Sequence, residues 1–567
     1  GHSAGDQSLT GWWTRGQFSF HKGAGIVYYD TGTTVRMNED LTTLNHFADG
    51  EGLDPFNPGK VTCQKAWNQY STTVASVTYV SSVGSKLVVL DGTTVKYGDF
   101  SATPTTYTPS GSATVRAVAT SPTMIYALLN NGKIAKVDPS TGTETTLYTG
   151  LTTTGRGIWY AKSRLIVSDS DGKWYQLSTN PTAPPVAVAA TDVVFTAGDD
   201  WATTSHVAAT PGPILVANDN RAFALTLDAT GSIPTMSAPV QVSELPPGEV
   251  ISKLAYHLGF VILVTGAGVR VGVLSDSGQL TYGPLLVERA SATTTPPVTS
   301  IGRYGTRASV VLDSRIIEID LAQQVGQGLE FAWTGRGDPF TGSETAAGVT
   351  TLQYSTQIAW SNAALWNSSA TNYASGWITS GYHRFATLEP KRFDSVRVHG
   401  DGTGGTIEVI RVDAGGTETS LYTIDMGSSH VEEVPLRLDE ATEIVALKFV
   451  LTPKSGDATT APTLLGYQLR ALPEPQRMEL IKVPLLLDDI ERRQPARAVG
   501  RKGSAWSRFS ALKDLETSNA LVSFRDFRIG ETGRAYIEAV ELTNTTPPSS
   551  QSKGFGGGVL YLTIRKL

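Results

Sequence analysis

The chain has little cysteine and little charge. Among its 567 residues there is one cysteine, Cys63, and charged side chains make up 17% of the sequence. One thiol cannot form an internal disulfide, and it excludes a zinc site built from several thiolates. Cys63 lies in the run KVTCQKAW, where we interpret it as a small buried side chain. Large secreted β-proteins often carry disulfides, so we expect this chain to fold in a reducing cytosol.

Positive charge and long apolar runs are also scarce. The 46 lysine and arginine residues are outnumbered by 52 aspartate and glutamate residues, and the formal net charge is -6. Nucleic-acid affinity rests mainly on cations that neutralise phosphates, so this balance argues against nucleic-acid binding. The run LGFVILVTGAGVRVGVL is broken by glycines and Arg270, and it predicts buried strands rather than a membrane-spanning segment. The N-terminus GHSAGDQSLTG lacks the basic and apolar regions of a signal peptide.

What the sequence does contain is a strand-rich pattern that returns six times. The copies begin at Val77, Val115, Gly157, Ser205, Ile251 and Val298. Each has a short strand, a polar turn, an apolar β-branched strand, a tight turn and another alternating strand, at intervals of roughly 40 to 48 residues. The interval is that of a four-stranded propeller blade, which cannot bury both faces alone. The pattern predicts a β-propeller of six to seven blades over residues 61–330, and a long β-sandwich is the alternative.

The tight turns of these copies are rich in glycine, asparagine and aspartate. They are Asp91-Gly92, Asn131-Gly132, Asp171-Gly172, Asn218-Asp219-Asn220, Gly266-Ala267-Gly268 and Asp313-Ser314. These residue types tolerate positive φ angles, which hairpin turns require. We therefore predict left-handed backbone at these positions.

The remaining segments divide around the propeller. Residues 1–60 are predicted to form an N-terminal arm and the approach to the propeller, and residues 331–375 a connecting segment. Residues 376–472 contain longer alternating strands and Gly-Gly turns, which predict a β-sandwich similar in outline to carbohydrate-binding jelly rolls. After the linker PEPQ, residues 473–567 predict a small β-sandwich with one helix. The expected fold class is therefore all-β.

The C-terminal helix has its own signature. Ser504 is a natural N-cap, and Phe509, Leu512 and Leu515 follow at spacings that place them along one side of a helix.

Few residues are candidates for a catalytic, metal-binding or ligand-binding site. Asp199, Asp200 and Trp201, with His206 nearby, form a loop whose composition suits a calcium ion, a sugar or acid-base chemistry. It also suits an ordinary turn capped by aspartates, which is the interpretation we favour. Because no second carboxylate cluster completes a constellation, we predict no catalytic or metal site. Arg336-Gly337-Asp338 is an RGD tripeptide, which we attribute to chance.

Aromatic residues near the two ends are candidates for a subunit interface. Trp12 and Trp13 are adjacent, so on a strand they point to opposite faces and cannot both enter one core. One of them is expected to meet another domain or subunit; the alternative is an edge strand covered by a loop. The candidate interface residues are Trp12, Trp13, Phe18 and Phe555.

The two ends also carry a family resemblance. The run GQFSFHKGAG from Gly16, and LVSFRDFRIGETGRAYIEAVELTNTTPP from Leu521, together with the propeller and sandwich, resemble minor tail proteins of long-tailed bacteriophages, particularly those infecting actinobacteria. The resemblance implies a virion protein at the tail tip, assembled in the host cytoplasm. Its implied partners are other phage tail proteins, further copies of itself with threefold or sixfold symmetry, and host cell-envelope glycans. It implies neither enzymatic activity nor a cofactor.

A secreted propeller lectin or glycan-active hydrolase with an accessory sugar-binding domain is the rival interpretation. A hydrolase predicts two carboxylates roughly 5 to 9.5 Å apart in one pocket at the propeller mouth. A tail protein predicts no such pair.

Overall fold

The repeated hairpins form a ring of seven β-sheets, each built on four antiparallel strands. The structure is a computed structural model that describes residues 13–29, 45–70, 74–151, 155–182, 185–197, 206–235, 239–290, 300–325, 328–337, 339–340, 346–352, 356–361, 363–385, 387–428, 430–436, 441–473, 480–488, 492–493, 497–498, 504–518, 520–526, 530–545 and 557–566. The chain divides into two units, Gly1–Pro473 and Glu474–Leu567.

Blades 1 to 4 follow one another along the chain, each from its innermost strand outwards. Blade 1 contains Val77–Val83, Lys86–Asp91, Thr94–Gly98 and Thr105–Tyr107. Blade 2 contains Val115–Thr120, Ile125–Leu129, Ile134–Val137 and Glu144–Thr149, with Val186–Ala187 added in parallel. Blade 3 contains Gly155–Ala161, Arg164–Asp169, Lys173–Ser178 and Val193–Thr196. Blade 4 contains His206–Ala209, Ile214–Asn218, Arg221–Leu225 and Val240–Glu244. Ser110–Ser112 and Ala190–Asp192 are short 3-10 turns.

Blades 5 to 7 complete the ring. Blade 5 contains Ile251–His257, Phe260–Thr265, Gly268–Leu274 and Leu280–Tyr282, with Val287–Glu288 also pairing to its third strand. Blade 6 contains Ile301–Tyr304, Arg307–Leu312, Arg315–Gln324 and Phe331–Arg336. Blade 7 contains Gly348–Leu352, Thr356–Trp360, Leu365–Tyr373 and, as its outermost strand, Lys65–Gln69.

Apolar clusters lie between every pair of neighbouring blades, and they establish that the ring is closed. Each cluster contains buried residues from both of the blades that it joins. From the boundary of blades 1 and 2 around to that of blades 7 and 1, one such pair per cluster is Val88 and Ala127, Leu128 and Leu165, Trp174 and Val216, Leu215 and Leu263, Ile262 and Val310, Ile316 and Val349, and Ile358 and Val89. The last pair joins blade 7 back to blade 1. Each sheet thereby buries both faces, which a single blade cannot do. The first unit therefore contains a seven-bladed β-propeller, and the propeller prediction is confirmed.

Blade 7 is built from two distant parts of the chain. Lys65–Gln69 runs antiparallel to Leu365–Tyr373, with Trp67 opposite Ser368 and Gln69 opposite Trp366. Residues 331–375 were expected to form a connecting segment; in the structure they contribute the outermost strand of blade 6 and three strands of blade 7.

Left-handed backbone occurs where the tight turns predicted it. The φ angles are positive at Gly92, Gly132, Gly172, Asp219, Gly268, Asp313 and Ser314. The turn prediction is confirmed at these positions.

A two-layered β-sandwich follows the propeller within the same unit. The order of strands in one sheet is His430–Pro435, Lys391–Asp401, Thr463–Pro473, Val61–Cys63 and Leu53–Asp54, and Trp13–Gln17 also pairs with Thr463–Pro473. The order in the other is Asp49–Glu51, Gly376–Thr379, Ala446–Thr452, Thr406–Val412 and Glu418–Asp425. Val398 and Leu469 from the first sheet share one buried core with Val409 and Phe449 from the second.

The sandwich is joined to the propeller by shared strands. Asp49–Glu51 pairs with Gly376–Thr379 on one side and, in parallel, with Phe331–Arg336 of blade 6 on the other. The second sandwich sheet is therefore continuous with blade 6.

The N-terminal segment, residues 1–60, was expected to form an arm and the approach to the propeller; in the structure it contributes strands to this sandwich. It contributes Trp13–Gln17, Asp49–Glu51 and Leu53–Asp54 to the sandwich sheets, and it also forms the parallel pair of Gly23–Ala24 with His46–Phe47. Phe20 and Phe47 are fully buried in the sandwich core. Cys63 is buried as predicted, and burial raises the pKa of its thiol to about 12.

The second unit contains one four-stranded antiparallel sheet, in the order Leu480–Asp488, Gly557–Lys566, Glu531–Thr545 and Val522–Asp526, and a short pair, Arg492–Arg493 with Arg497–Ala498. The α-helix Ser504–Ser518 packs on this sheet through Phe509, Leu512 and Leu515. The helix prediction is confirmed. Within the described ranges, no helix combines the length and apolarity needed to cross a bilayer.

Candidate functional site

The innermost strands of all seven blades surround a central channel. Its lining includes Thr78–Ser81 of blade 1, Arg116–Thr120 of blade 2, Arg156–Tyr160 of blade 3, His206–Ala209 of blade 4, Lys253–Tyr256 of blade 5, residues 300, 301 and 303 of blade 6, and Thr350 of blade 7. The channel has a volume of about 570 Å³. This is in the range of small-molecule and cofactor sites.

Four of the innermost strands carry a β-bulge at the same place. The strand register shifts between Val77 and Tyr79, Val115 and Ala117, Gly155 and Gly157, and Ile251 and Lys253. The residues inside the four bulges are Thr78, Arg116, Arg156 and Ser252. A bulge leaves one residue out of the ladder and changes the direction of its side chain.

The bulged residues fall into two chemical pairs. In blades 1 and 5 they are hydroxyl residues that donate back to the second strand, Thr78 Oγ1 to Leu90 O at 3.5 Å and Ser252 Oγ to Val264 O at 3.0 Å. In the adjacent blades 2 and 3 they are Arg116 and Arg156, both exposed and both lining the channel. The bulges therefore place two guanidinium groups at corresponding positions on neighbouring blades.

The channel is basic although the whole chain is acidic. Its lining includes Arg116, Arg156, Lys253 and Arg303, from four different blades, and no aspartate or glutamate among the described residues. Within the described part of the chain, the side chains of Arg116, Arg156 and Lys253 have no carboxylate within ion-pair distance. Arg303 donates through Nη1 to Tyr256 O at 2.9 Å.

Burial affects two of the lining groups. It lowers the pKa of the Lys253 ammonium from its usual value. It also lowers the pKa of His206 to about 3, with a further contribution from the charge of Lys253. His206 is therefore neutral at pH 7, and the charge of Lys253 lies in a site that favours an opposite charge.

Hydroxyl and aromatic groups complete the wall. Ser81 Oγ and Thr120 Oγ1 lie 2.7 Å apart across blades 1 and 2. The ring of Trp159 stacks on Trp174 at 5.2 Å with an interplanar angle of 2°, which fixes its orientation beside the channel.

The sequence-predicted residues have different outcomes. Asp199, Asp200 and Trp201 lie outside the described residues, and so do Trp12 and Phe555. His206, near the predicted acidic loop, is the first residue of the innermost strand of blade 4.

Of the predicted interface residues, the structure describes Trp13 and Phe18. Trp13 lies against the sandwich core of its own chain, with its ring 5.8 Å from that of Phe385. Phe18 is 56% exposed. The interface role of Phe18 stays a prediction.

A second polar site lies at the junction of blades 6 and 7 with the sandwich. Arg336, part of the RGD tripeptide, is 3% exposed and donates to Gln357 Oε1 at 3.1 Å, Gln64 Oε1 at 3.1 Å and Lys65 O at 2.6 Å. Glu318 accepts from Gln64 and Gln357 in the same network. The Arg336 guanidinium is therefore structural and is not available to an external receptor.

The turn pattern that identifies the repeats does not distinguish Arg116 and Arg156 from other arginines, so neither was predicted as a site residue. Aligning VRAVA from Val115 with GRGIW from Gly155 places arginine second in both innermost strands. That correspondence between repeats was the available signal.

No group of three or more metal-ligating His, Cys, Asp or Glu side chains occurs in the described part of the chain. Neither a protein-family model nor a curated protein matches the sequence. Among solved structures, YCF48 bound to D1 peptide is 10% identical over 54% of this chain and 95% of that chain, with a TM-score of 0.38. The computationally designed Ika8 protein is 11% identical over 57% and 96%, with a TM-score of 0.36. PorZ of Porphyromonas gingivalis is 14% identical over 56% and 43%, with a TM-score of 0.36. These likenesses are weak, and the fold assignment rests on the seven sheets themselves.

Proposed function

We propose that this chain is a structural protein of a bacteriophage tail tip that also contributes to adsorption on the host surface. The observation that carries the proposal is the resemblance of its two ends to minor tail proteins. The N-terminal stretch Gly16–Gly25 lies where the sandwich meets blade 6: Phe20 is in the sandwich core, and Lys22 Nζ donates to Gln324 O at 2.7 Å. The C-terminal stretch contributes two of the four strands of the sheet in the second unit, Val522–Asp526 and Glu531–Thr545.

The architecture supports a binding role for the first unit. Because blade 6 and the sandwich share one continuous sheet, the channel residues are held on a rigid scaffold. A rigid scaffold suits a site that binds a cell surface. Other tail proteins and further copies of the chain, in threefold or sixfold symmetry, are the proposed assembly partners. Weak contacts of each copy with envelope glycans then sum through multivalency.

The test is to locate the chain in virions. Antibodies against the purified protein are applied to phage particles from a lysate that produces it, with gold labelling under the electron microscope. Label at the tail end distal to the capsid, together with a threefold or sixfold mass of the assembled protein by light scattering, is the expected result. A chain found only in the culture medium, absent from particles, overturns the proposal.

The rival proposal, a glycan-active hydrolase, rests on Asp199 and Asp200. It predicts release of sugars from envelope glycans by the wild-type protein and loss of that release in Asp199→Asn or Asp200→Asn. Binding of glycans without turnover favours the adsorption role.

A further inference from the structure

We propose that the propeller channel binds an oxyanion carried on a hydroxyl-rich chain, such as the phosphate or carboxylate group of an anionic polyol or glycan. This inference deepens the adsorption part of the proposed function by naming its ligand class. It does not depend on assembly into a tail.

The positive charge of the channel is uncompensated within the described residues. Arg116, Arg156 and Lys253 face one channel with no carboxylate in its described lining and no ion-pair partner among the described residues. Elsewhere in this unit, cations in partly buried places do have partners: Arg270 pairs with Glu249 at 2.8 Å, and Arg307 with Asp54 at 2.8 Å. Like charges in a confined site repel one another. An anion that enters the channel relieves this repulsion and so lowers the free energy of the bound state.

The basic side chains occupy corresponding positions along the innermost strands. Arg116 and Arg156 occupy equivalent bulges in adjacent blades, and Lys253 directly follows the equivalent bulge of blade 5. Lys253 lies opposite Val264, which is the penultimate residue of the second strand of blade 5. His206 of blade 4 lies opposite Ala217, which is likewise the penultimate residue of the second strand of its blade. These four side chains therefore surround the same end of the channel. Arg303 belongs to the other end, since it lies opposite Ala308 near the close of its strand.

The hydrogen-bond donors of the channel have the chemistry that an oxyanion requires. Guanidinium groups bind phosphate and carboxylate oxygens through paired, charge-assisted hydrogen bonds, and two of them on adjacent blades suit an oxyanion better than a neutral sugar. Beyond them the wall contains the hydroxyls of Ser81 and Thr120 and the fixed ring of Trp159. Hydroxyls accept and donate to polyol groups, and an indole face packs on their carbon skeleton. The volume of about 570 Å³ admits a short segment of such a chain rather than a bare ion alone.

The experiment measures binding of the full-length protein to defined probes by isothermal titration calorimetry at low salt. The probes are inorganic phosphate, poly(glycerol phosphate), polygalacturonate, neutral dextran and a single-stranded oligonucleotide. We expect binding of poly(glycerol phosphate), polygalacturonate or both, weaker binding of inorganic phosphate, and none of dextran. The phosphate and carboxylate polymers distinguish the two sources of oxyanion.

The variants are Arg116→Gln with Arg156→Gln, Lys253→Met, and Lys133→Gln as the control. Lys133 is exposed in the hairpin turn of blade 2, outside the channel lining, so its replacement removes one positive charge from the blade that contains Arg116 and leaves the channel unchanged. We expect the double variant to lose affinity by about tenfold or more, and the control to stay within about twofold of wild type. Because Arg116 and Arg156 are exposed and support no ion pair among the described residues, the double variant should keep the wild-type melting temperature.

Several results overturn the inference. They are equal affinity for dextran and the anionic polymers, equal loss in Lys133→Gln and the double variant, tightest binding to the oligonucleotide, and no binding of any probe. The outcome is separable from the tail proposal. Probe binding by a chain that is absent from virions refutes the tail role alone, and a virion protein that binds no anionic probe refutes this inference alone.

Discussion

Arg307 of blade 6 donates through Nη2 to both carboxylate oxygens of Asp54, at 3.0 and 2.8 Å, although the two residues are 253 positions apart in the chain. Asp54 belongs to a strand of the sandwich, so the pair ties the propeller to the sandwich. Arg307 also reaches Glu318 Oε2 at 3.3 Å, which connects this ion pair to the buried network around Arg336. Both partners of the pair are less than one-fifth exposed, at 19% and 18%.

Removing the charge of Asp54 should destabilise the first unit. Asp54→Asn leaves a partly buried guanidinium with one of its two carboxylates, and we expect the free energy of unfolding to fall by about 2 kcal/mol. The measurement is a urea transition followed by tryptophan fluorescence. Glu433→Gln is the control. Glu433 and its partner Arg397 are each 43% exposed and its second partner Arg470 is 27% exposed, so water screens these ion pairs and we expect the loss to stay below about 1 kcal/mol. Equal effects of the two variants would contradict this account of the junction.

Ring closure should depend on Trp67. Its Nε1 donates to Gly337 O at 2.6 Å, its ring lies 4.7 Å below the Arg336 guanidinium, and it packs on the cluster between blades 6 and 7. Trp67→Ala removes these contacts from the strand that completes blade 7. We therefore expect the free energy of unfolding to fall by about 3 kcal/mol and proteolysis within residues 346–373 to become faster. Trp506→Ala, which replaces a 55% exposed tryptophan, is the control and should leave that proteolysis unchanged. Cleavage at the wild-type rate in Trp67→Ala would refute the closing role.

The features that the sequence predicted are those that depend on neighbouring residues. Hairpins are made by residues a few positions apart, so turn chemistry such as Asn131-Gly132 indicates them directly, and the φ of Gly132 is 75°. The helix Ser504–Ser518 was predictable for the same reason, since its apolar spacing is local.

The features that the sequence missed depend on distant pairing. Lys65–Gln69 reads as a short strand near the N-terminus, and nothing in it identifies Leu365–Tyr373 as its partner. Trp13–Gln17 likewise pairs with Thr463–Pro473 across the length of the unit. The alternation of apolar and polar residues shows that a strand has one buried and one exposed face. It does not identify the strand that pairs with it.

Two hairpin glycines offer a direct test of close packing. Gly92 and Gly132 have φ angles of 63° and 75°, and a Cβ at Gly132 would lie 2.3 Å from Leu151 O, whereas Gly92 has open space around it. We expect Gly92→Ala to cost about 1–2 kcal/mol from the left-handed backbone alone, and Gly132→Ala clearly more because the backbone of Leu151 must also move. Urea transitions of both variants make the comparison. A smaller loss for Gly132→Ala than for Gly92→Ala would exclude this explanation.

His383 is a buried titratable group that should make the first unit sensitive to acid. Its ring is fully buried, Nε2 lies 3.0 Å from the Tyr467 hydroxyl, and the Tyr29 ring is 4.9 Å away. Burial lowers the pKa of His383 well below its usual value, and the nearby charge of Arg15 lowers it further. The folded state therefore holds this imidazole neutral.

The sign of the pH dependence follows from that shift. Above about pH 6.5 the imidazole is neutral in both states, so its contribution to stability is complete; below it, the unfolded chain takes up a proton that the folded chain does not. The free energy of unfolding should then fall with decreasing pH by up to about 1.4 kcal/mol per pH unit for this group. In His383→Gln, which keeps a polar group near Tyr467, we expect the loss between pH 7.5 and 5.0 to be smaller by about 2 kcal/mol. The comparison uses the change with pH within each variant, so a general destabilisation of His383→Gln does not affect it. An unchanged pH dependence in that variant would show that another group governs the acid sensitivity.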